Sequence, residues 1–223
     1  MKLLTEAELI WSPVVANTRM NRSRQATGVN SYEKEFGFSP VSFLEQRLAA
    51  GAPVAWLDVC CGEGRALLQA ADYFAARGLS DKLLLKGIDL LPPADDRVIF
   101  ETAAAVGWKP QETYDLITCS HGLHYLGDKL QVTATLLSVL KSAGCFAAHL
   151  DLHNIRIAQD AGGKYLKQLF AASSIRYDAR RKLLLCTGPQ QLHTGLMFLG
   201  ADDLSGPNYT GQEAVTSYYR LMP

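Results

Sequence analysis

The chain has 223 residues and balances 22 basic against 22 acidic side chains, so it offers no overall field to attract nucleic acid or an anionic membrane. No apolar run is long enough to span a bilayer, and the N-terminal "MKLLTEAELIW" is acidic where a secretory leader would be basic; a cytoplasmic protein is expected. The five cysteines (Cys60, Cys61, Cys119, Cys145, Cys186) are odd in number and form no CxxC pair, which argues against a disulfide framework or zinc knuckle and for small buried hydrophobes.

Thr5 and Glu8 have the spacing of a capping box and predict a first helix. Residues 17–39, "NTRMNRSRQATGVNSYEKEFGFS", are polar without a sustained apolar period and read as a lid or ordered arm. The expected division is therefore an N-terminal helix and arm, residues 1–37, and a single main domain, residues 38–223. Ser39-Pro40 supplies a cap and a first-turn proline for a helix with Val41, Phe43, Leu44 and Leu48 as its buried stripe, closed by Gly51.

Strand-like runs follow at Val54–Val59, Leu83–Asp89, Val98–Thr102, Asp115–Ser120 and Cys145–Leu152, with helical runs at Arg65–Ala76 and Asp128–Lys141. Nearly continuous apolar strands alternating with helices predict a parallel sheet covered on both faces. The connection Leu90–Arg97 is short and proline-rich, so its helix is reduced or missing. A helix at Lys164–Ala172 precedes two last runs, Ile175–Cys186 and Leu192–Leu199. Their junction "TGPQQ" predicts a hairpin and an antiparallel final strand. Thr210 and Glu213 predict one more capping box and a terminal helix, "GQEAVTSYYRL".

The stretch "VAWLDVCCGEGRALLQAA" (Val54–Ala71) carries the strongest signal. Asp58 ends a strand, Gly62 and Gly64 form a turn, and a helix starts at once, which lets a ligand approach backbone amides at a helix N-terminus. The next strand ends in Asp89, placed to hydrogen-bond the ribose hydroxyls of a nucleoside.

This layout resembles the class I S-adenosylmethionine-dependent methyltransferases. "LDVCCGEGRAL" looks like that family's first motif, "GIDL" its second, "YDLITCSHGLHYLGD" the region of its fourth strand and "LKSAGCFAAHLD" the turn into its fifth. The resemblance spans Phe38 to Ala201. It implies an α/β, Rossmann-like, doubly wound sheet, mostly parallel with a terminal antiparallel hairpin strand, and S-adenosyl-L-methionine as cofactor. The cofactor-binding residues it implies are Asp58, Cys60, Gly62, Gly64, Asp89, Leu90, Ala104, Ala105 and Ser120, with Tyr32 of the arm. Cys60 stands where the family usually has its first glycine. Ala104 stands where the family often has an acid for the adenine amino group, so adenine is expected to meet backbone groups or apolar contacts from Ala104, Ala105 and Trp108.

Methyl transfer from a sulfonium needs alignment and exclusion of water, and a base when the acceptor must lose a proton. His121, directly after the fourth strand, is the first candidate base, against a local hydrogen-bonding role. His124 and Tyr125 match a "LHHL"-like stretch of the family and are candidate acceptor contacts, His124 with a structural role as its alternative. In "CFAAHLDLH" a period of two puts His149, Asp151 and His153 on one face. Three readings stay open there: a His149–Asp151 base pair, a metal site, or a buried histidine satisfied by Asp151. No metal is assigned. Arg22, with Arg19 and Arg24 in the arm, is a candidate for an acceptor carboxylate or phosphate, or else a solvated surface. The hairpin loop is expected to bring Gln190, Gln191 and His193 to the same edge, and "GADDLSGPNYTG" (Gly200–Gly211) to the opposite one.

The reading is a methyltransferase acting on a small-molecule acceptor, oxygen slightly favoured over nitrogen, as a monomer or homodimer without nucleic-acid or membrane partners. The alternatives are a non-catalytic cofactor-binding partner with a degenerate adenine site, and a nicotinamide-dependent dehydrogenase. The last fits worse, since the turn lacks GxGxxG spacing.

Overall fold

Val54–Val59 (β1) is buried along its whole length at the middle of a seven-stranded sheet. The computed structural model describes residues 2–16, 23–158, 160 and 163–222. Its remaining strands are Leu83–Asp89 (β2), Ile99–Thr102 (β3), Tyr114–Cys119 (β4), Leu140–His149 (β5), Ile155–Ile157 (β6), Arg176–Asp178 (β7), Leu183–Thr187 (β8), Leu196–Asp202 (β9) and Thr216–Leu221 (β10). The helices are Glu6–Leu9 (α1), Pro13–Ala16 (α2), Tyr32–Phe36 (α3), Pro40–Leu48 (α4), Arg65–Ala75 (α5), Lys129–Ser138 (α6) and Lys164–Ala172 (α7). None is long and apolar enough to cross a membrane.

The main sheet runs β3-β2-β1-β4-β5-β8-β7, and β8 alone is antiparallel to its neighbours β5 and β7. The alternation of β1 explains why both faces are covered. Ala55, Leu57 and Val59 pack with α6 and α7 through Leu136, Leu137, Leu166 and Phe170. Val54 and Trp56 pack on the other side with Leu44 of α4 and Leu67 and Phe74 of α5. Each fully buried side chain of this size contributes about 1.5–3 kcal/mol. The capping signals hold at both early helices: Thr5 and Glu8 close a capping box on α1, and the Ser39 side chain accepts from the Ser42 N–H at 3.2 Å on α4.

Three expectations change. The fifth strand begins at Leu140 and ends at His149, three residues before the predicted end. Asp151 then caps a 3-10 turn, Leu152–Asn154, by accepting from the His153 N–H. The hairpin lies inside the run Ile175–Cys186 rather than after it, between β7 and β8. Asp178 Oδ1 accepts from the Arg180 and Arg181 N–H groups, both at 3.0 Å, and turns the chain there. The predicted terminal helix is strand β10. Its Thr, Tyr and Tyr suit a sheet, and the expected capping box is taken apart: the Thr210 N–H donates to Asn208 Oδ1 and Glu213 pairs with Pro207.

β6, β10 and β9 form a second sheet that was not predicted. The N-terminal segment docks on it: Leu4 bridges Ala201, and Leu9 packs with Ala201 and Val215. Because β8 descends and β9 returns, the two loops exchange ends. Residues 188–195 lie at the amino ends of the parallel strands, where the Gly188 N–H donates to the Gly144 carbonyl and the Gln190 N–H to the Leu137 carbonyl. Residues 203–215 lie at the carboxyl ends, where the Tyr209 N–H donates to Asp151 Oδ2 at 2.8 Å.

Candidate active site

A cleft of about 1170 Å³, open to solvent, lies beyond the carboxyl ends of β1, β2 and β4. Its floor is the turn after β1. Cys60 is left-handed (φ 56°), as is Gly62 (φ 59°), which turns the chain sharply enough to expose its amides. Asp89 at the tip of β2 holds this turn: Oδ2 accepts from the Gly62 N–H at 2.9 Å and Oδ1 from the Leu91 N–H at 3.1 Å. Gly64 (φ 62°) caps α5 behind the turn, outside the cleft lining. There an added Cβ would sit 2.4 Å from Phe100, so only glycine fits.

Asp58 is fully buried and also lies outside the cleft lining. It accepts from the Tyr32 hydroxyl at 2.8 Å and from Thr118 Oγ1 at 2.6 Å, its pairing neighbour on β4. Burial, with the Asp89 charge adding to it, raises its pKa to about 7 although the two hydroxyl bonds oppose this. It braces the arm helix α3 against β1 and β4. Tyr32, Cys60, Leu90, Ala104, Ala105 and Ser120 all line the cleft.

A second group gathers where β4 and β5 end. His121 is left-handed (φ 61°), an unfavourable conformation for histidine that costs on the order of 1–3 kcal/mol and recurs at functional sites. Its ring stacks on His149, centroids 4.1 Å apart and planes at 11°. Glu35 of α3 reaches both: its Oε2 is 3.1 Å from His121 Nε2 and 3.4 Å from His149 Nε2. Its other oxygen takes Arg24 at 2.9 Å, and Arg24 also donates to Ser120 Oγ at 3.0 Å. Burial pushes Glu35 upward, but the His121 hydrogen bond and the charges of His121, Arg24 and His149 outweigh it and hold the carboxyl at about 2. Burial, reinforced by neighbouring His121, lowers the His149 pKa, which favours a neutral ring.

The three ligand-type atoms of Glu35, His121 and His149 lie within 4.8 Å of one another. Arg24 occupies the remaining Glu35 oxygen, so the carboxylate that faces the two rings is already paired with a cation.

The other candidates separate. Tyr125 lines the cleft. His124 is buried against Tyr209 and His121, and neither ring nitrogen has a hydrogen-bond partner among the described residues. Asp151 does not pair with His149, because the strand ends between them. It serves Tyr209, His153 (3.2 Å) and Lys182 (3.8 Å) instead. His153 points to solvent with 79% of its side chain exposed. His193 lies in the loop at the amino ends of the strands, away from the site, because the hairpin is elsewhere. Arg22 and Arg19 fall outside the described residues.

Sequence reading missed Glu35 and Tyr209, whose ring lies 6.1 Å from His121, whereas Arg24 of the arm, named there as a grip for a carboxylate or phosphate, lines the cleft. A signal existed for Glu35. Tyr32, Glu35 and Phe36 share one face of a helix at i, i+3 and i+4, the face that Tyr32 was expected to turn toward the cofactor.

A family model described as "Methyltransferase domain" matches residues 7–183. Among curated proteins none matches. Solved structures that resemble the chain include the plantazolicin methyltransferase BpumL in complex with a monoazolic analog and SAH. It is 14% identical, with 64% of this chain and 51% of that one covered and a TM-score of 0.38. The chain thus spans about half of that protein's length. Another is the N-methyltransferase NodS from Bradyrhizobium japonicum WM9 with S-adenosyl-L-homocysteine, 15% identical over 84% and 98% of the two chains, TM-score 0.40. The [4+2]-cyclase SpnF is 16% identical over 85% and 65%, TM-score 0.41. With the domain model covering most of the chain and the strand order, glycine turn and β2 acid in place, the chain belongs to the class I S-adenosylmethionine-dependent methyltransferases.

Proposed function

We propose that this chain methylates a small-molecule acceptor, at oxygen in preference to nitrogen. The observation that carries the proposal is the meeting, in one place, of an Asp89-held glycine turn and a histidine pair tied to a carboxylate. The cleft's residues fit the cofactor's chemistry. Asp89, a carboxylate lining the cleft at the tip of β2, suits the ribose hydroxyls. Arg24, a cation at the turn end of the cleft, suits the amino-acid carboxylate. Ala103–Val106 offer an apolar wall for a purine.

When bound, S-adenosylmethionine supplies an electrophilic methyl carbon. The protein's part is to aim an acceptor at it, exclude water, and remove a proton where one must leave. With Nε2–H of His121 directed at Glu35, the Nδ1 lone pair is left to take that proton, and Nδ1 has no partner among the described residues. The cation formed would sit against the Glu35 carboxylate, which stabilises it. A hydroxyl acceptor needs this service; a neutral amine does not. That is why oxygen is favoured.

Calorimetric titration with S-adenosylmethionine and with NADH, followed by an acceptor screen, tests the reading. Micromolar binding of the first alone, with turnover of a phenol or alcohol, is the expected result. Cofactor binding without turnover of any acceptor would return the non-catalytic partner as the better reading. In the enzyme, His121→Ala is expected to cut turnover by roughly a hundredfold or more while cofactor affinity stays within about twofold. Normal turnover in that variant would move the base to His149.

A further inference from the structure

The sequence sets Cys60 beside Cys61, but the fold parts these two and brings Cys60 to Cys119. Cys61 packs on the α4–α5 side of the sheet with Leu67, and its sulfur would lie 2.9 Å from a Cβ placed on Gly87. Cys119 is buried on the other side with Val59, and Cys60 packs against that same cluster. Asp58 pairs with Thr118, so Cys60 and Cys119 follow on neighbouring parallel strands and stand diagonal to each other. Adjacent strands lie about 4.8 Å apart and advance about 3.3 Å per residue. That sets the two Cα atoms within the range of roughly 4.4–6.8 Å that a disulfide spans. Gly122 shows how near the sulfurs come. A Cβ added there would lie 2.8 Å from Cys60 Sγ and 2.8 Å from Cys119 Sγ, so no more than twice that distance separates them. Cys145 and Cys186 pack on opposite sides of the sheet. Among the described residues, no other two cysteines share a side on neighbouring strands.

We propose that a two-electron oxidant joins Cys60 to Cys119 in a reversible disulfide, and that the joined form holds the cofactor less tightly. The step balances with a peroxide. Cys60, half-buried in the cleft wall, attacks one peroxide oxygen and becomes a sulfenic acid; its proton goes to the leaving hydroxide, giving water. The Cys119 sulfur then attacks Cys60 Sγ, the S–S bond forms, and the sulfenic hydroxyl leaves with the Cys119 proton as a second water. The Cys119 thiol, burial and the Asp89 charge all raise the Cys60 pKa, so the pair rests as two thiols and reacts slowly. The effect on the cofactor follows from where Cys60 sits. It is the left-handed residue that opens the turn, and Asp89 holds the Gly62 amide of that turn at 2.9 Å. Drawing its sulfur to the roughly 2.05 Å of an S–S bond pulls the turn toward β4 and away from Asp89. The loss of affinity rests on the cofactor reading; the disulfide does not.

The bond is read directly in the wild-type protein. After treatment with hydrogen peroxide, remaining thiols are alkylated and the protein is digested and mapped by mass spectrometry without reduction. A Cys60–Cys119 cross-linked peptide with Cys61 alkylated, lost on adding dithiothreitol, is expected. Isothermal titration with S-adenosylhomocysteine is expected to show about tenfold weaker binding by the oxidised protein, recovered on reduction. Cys119→Ala is expected to bind equally well before and after peroxide. The inference is overturned if Cys60 and Cys119 both remain open to alkylation after peroxide, or if Cys60 ends as a sulfinic acid with no cross-link. It is also overturned if the joined form binds as tightly as the reduced one, or if Cys119→Ala loses affinity to peroxide as wild type does. A reduced protein that binds no S-adenosylhomocysteine would overturn the cofactor reading and the affinity loss with it, and the peptide map alone would then decide the bond.

Discussion

Asp89 and Asp58 show how two carboxylates at neighbouring strand ends take different work. Asp89 faces the cleft and ties down the Gly62 amide, so Asp89→Ala should weaken S-adenosylhomocysteine binding by more than about tenfold in a calorimetric titration. Asp58 is sealed between Tyr32 and Thr118, and burial raises its pKa from 3.8 to about 7. The folded state therefore binds its proton more tightly than the unfolded chain does. The stability this gives is full below pH 4 and is lost as pH rises toward 7. Asp58→Asn removes that dependence. Urea denaturation should show wild type losing stability relative to Asp58→Asn between pH 4 and 7; a constant difference would refute the assignment. Cys60 and His121, the two non-glycine residues lining the cleft with positive φ, were named from sequence for their positions, but their left-handed backbone was not legible there, because most residues of either type are not left-handed.

At the scale of elements, short helix α3 does more than its five residues suggest. Tyr32 reaches Asp58, Phe36 stacks on His149 at 5.5 Å, and Glu35 joins the histidine pair, all from one face. Arg181 from the β7–β8 turn donates to the Glu35 backbone carbonyl at 2.7 Å and to that of Lys34 at 3.1 Å, latching the helix from outside. A different joint binds α6 to the second sheet. Lys129 is completely buried, and its amine donates to the carbonyls of Leu126 and Val215 and to Ser217 Oγ at 2.7–2.8 Å. Lys129→Met fills the same space and strands those carbonyls. It should cost about 2 kcal/mol or more in denaturant unfolding; an unchanged midpoint would mean the amine is not what holds β10 in place.

For the whole molecule, the second sheet matters because the N-terminal segment rests on it. Leu4 pairs with Ala201 through bonds of 2.7 and 3.0 Å, and α1 and α2 beyond it form one wall of the cleft. Cofactor binding should then slow hydrogen exchange across residues 4–16 as well as at the glycine turn and residues 103–106. Protection confined to the turn and 103–106 would show that the N-terminal wall does not close on the ligand. The sequence alone determined the parallel core, the glycine turn, Asp89 and the family, because these depend on local periodicity and on residues within one strand-turn-helix unit. Only the tertiary structure decided the location of the hairpin, and with it which loops reach the active edge: His193 left the site and Tyr209 entered it when the chain turned at Asp178 instead of Gly188. The same holds for Glu35 on the histidines and Glu6 in the cleft. Their partners lie 86 or more residues away in the chain, and no local pattern encodes a contact that exists only once separate elements have packed.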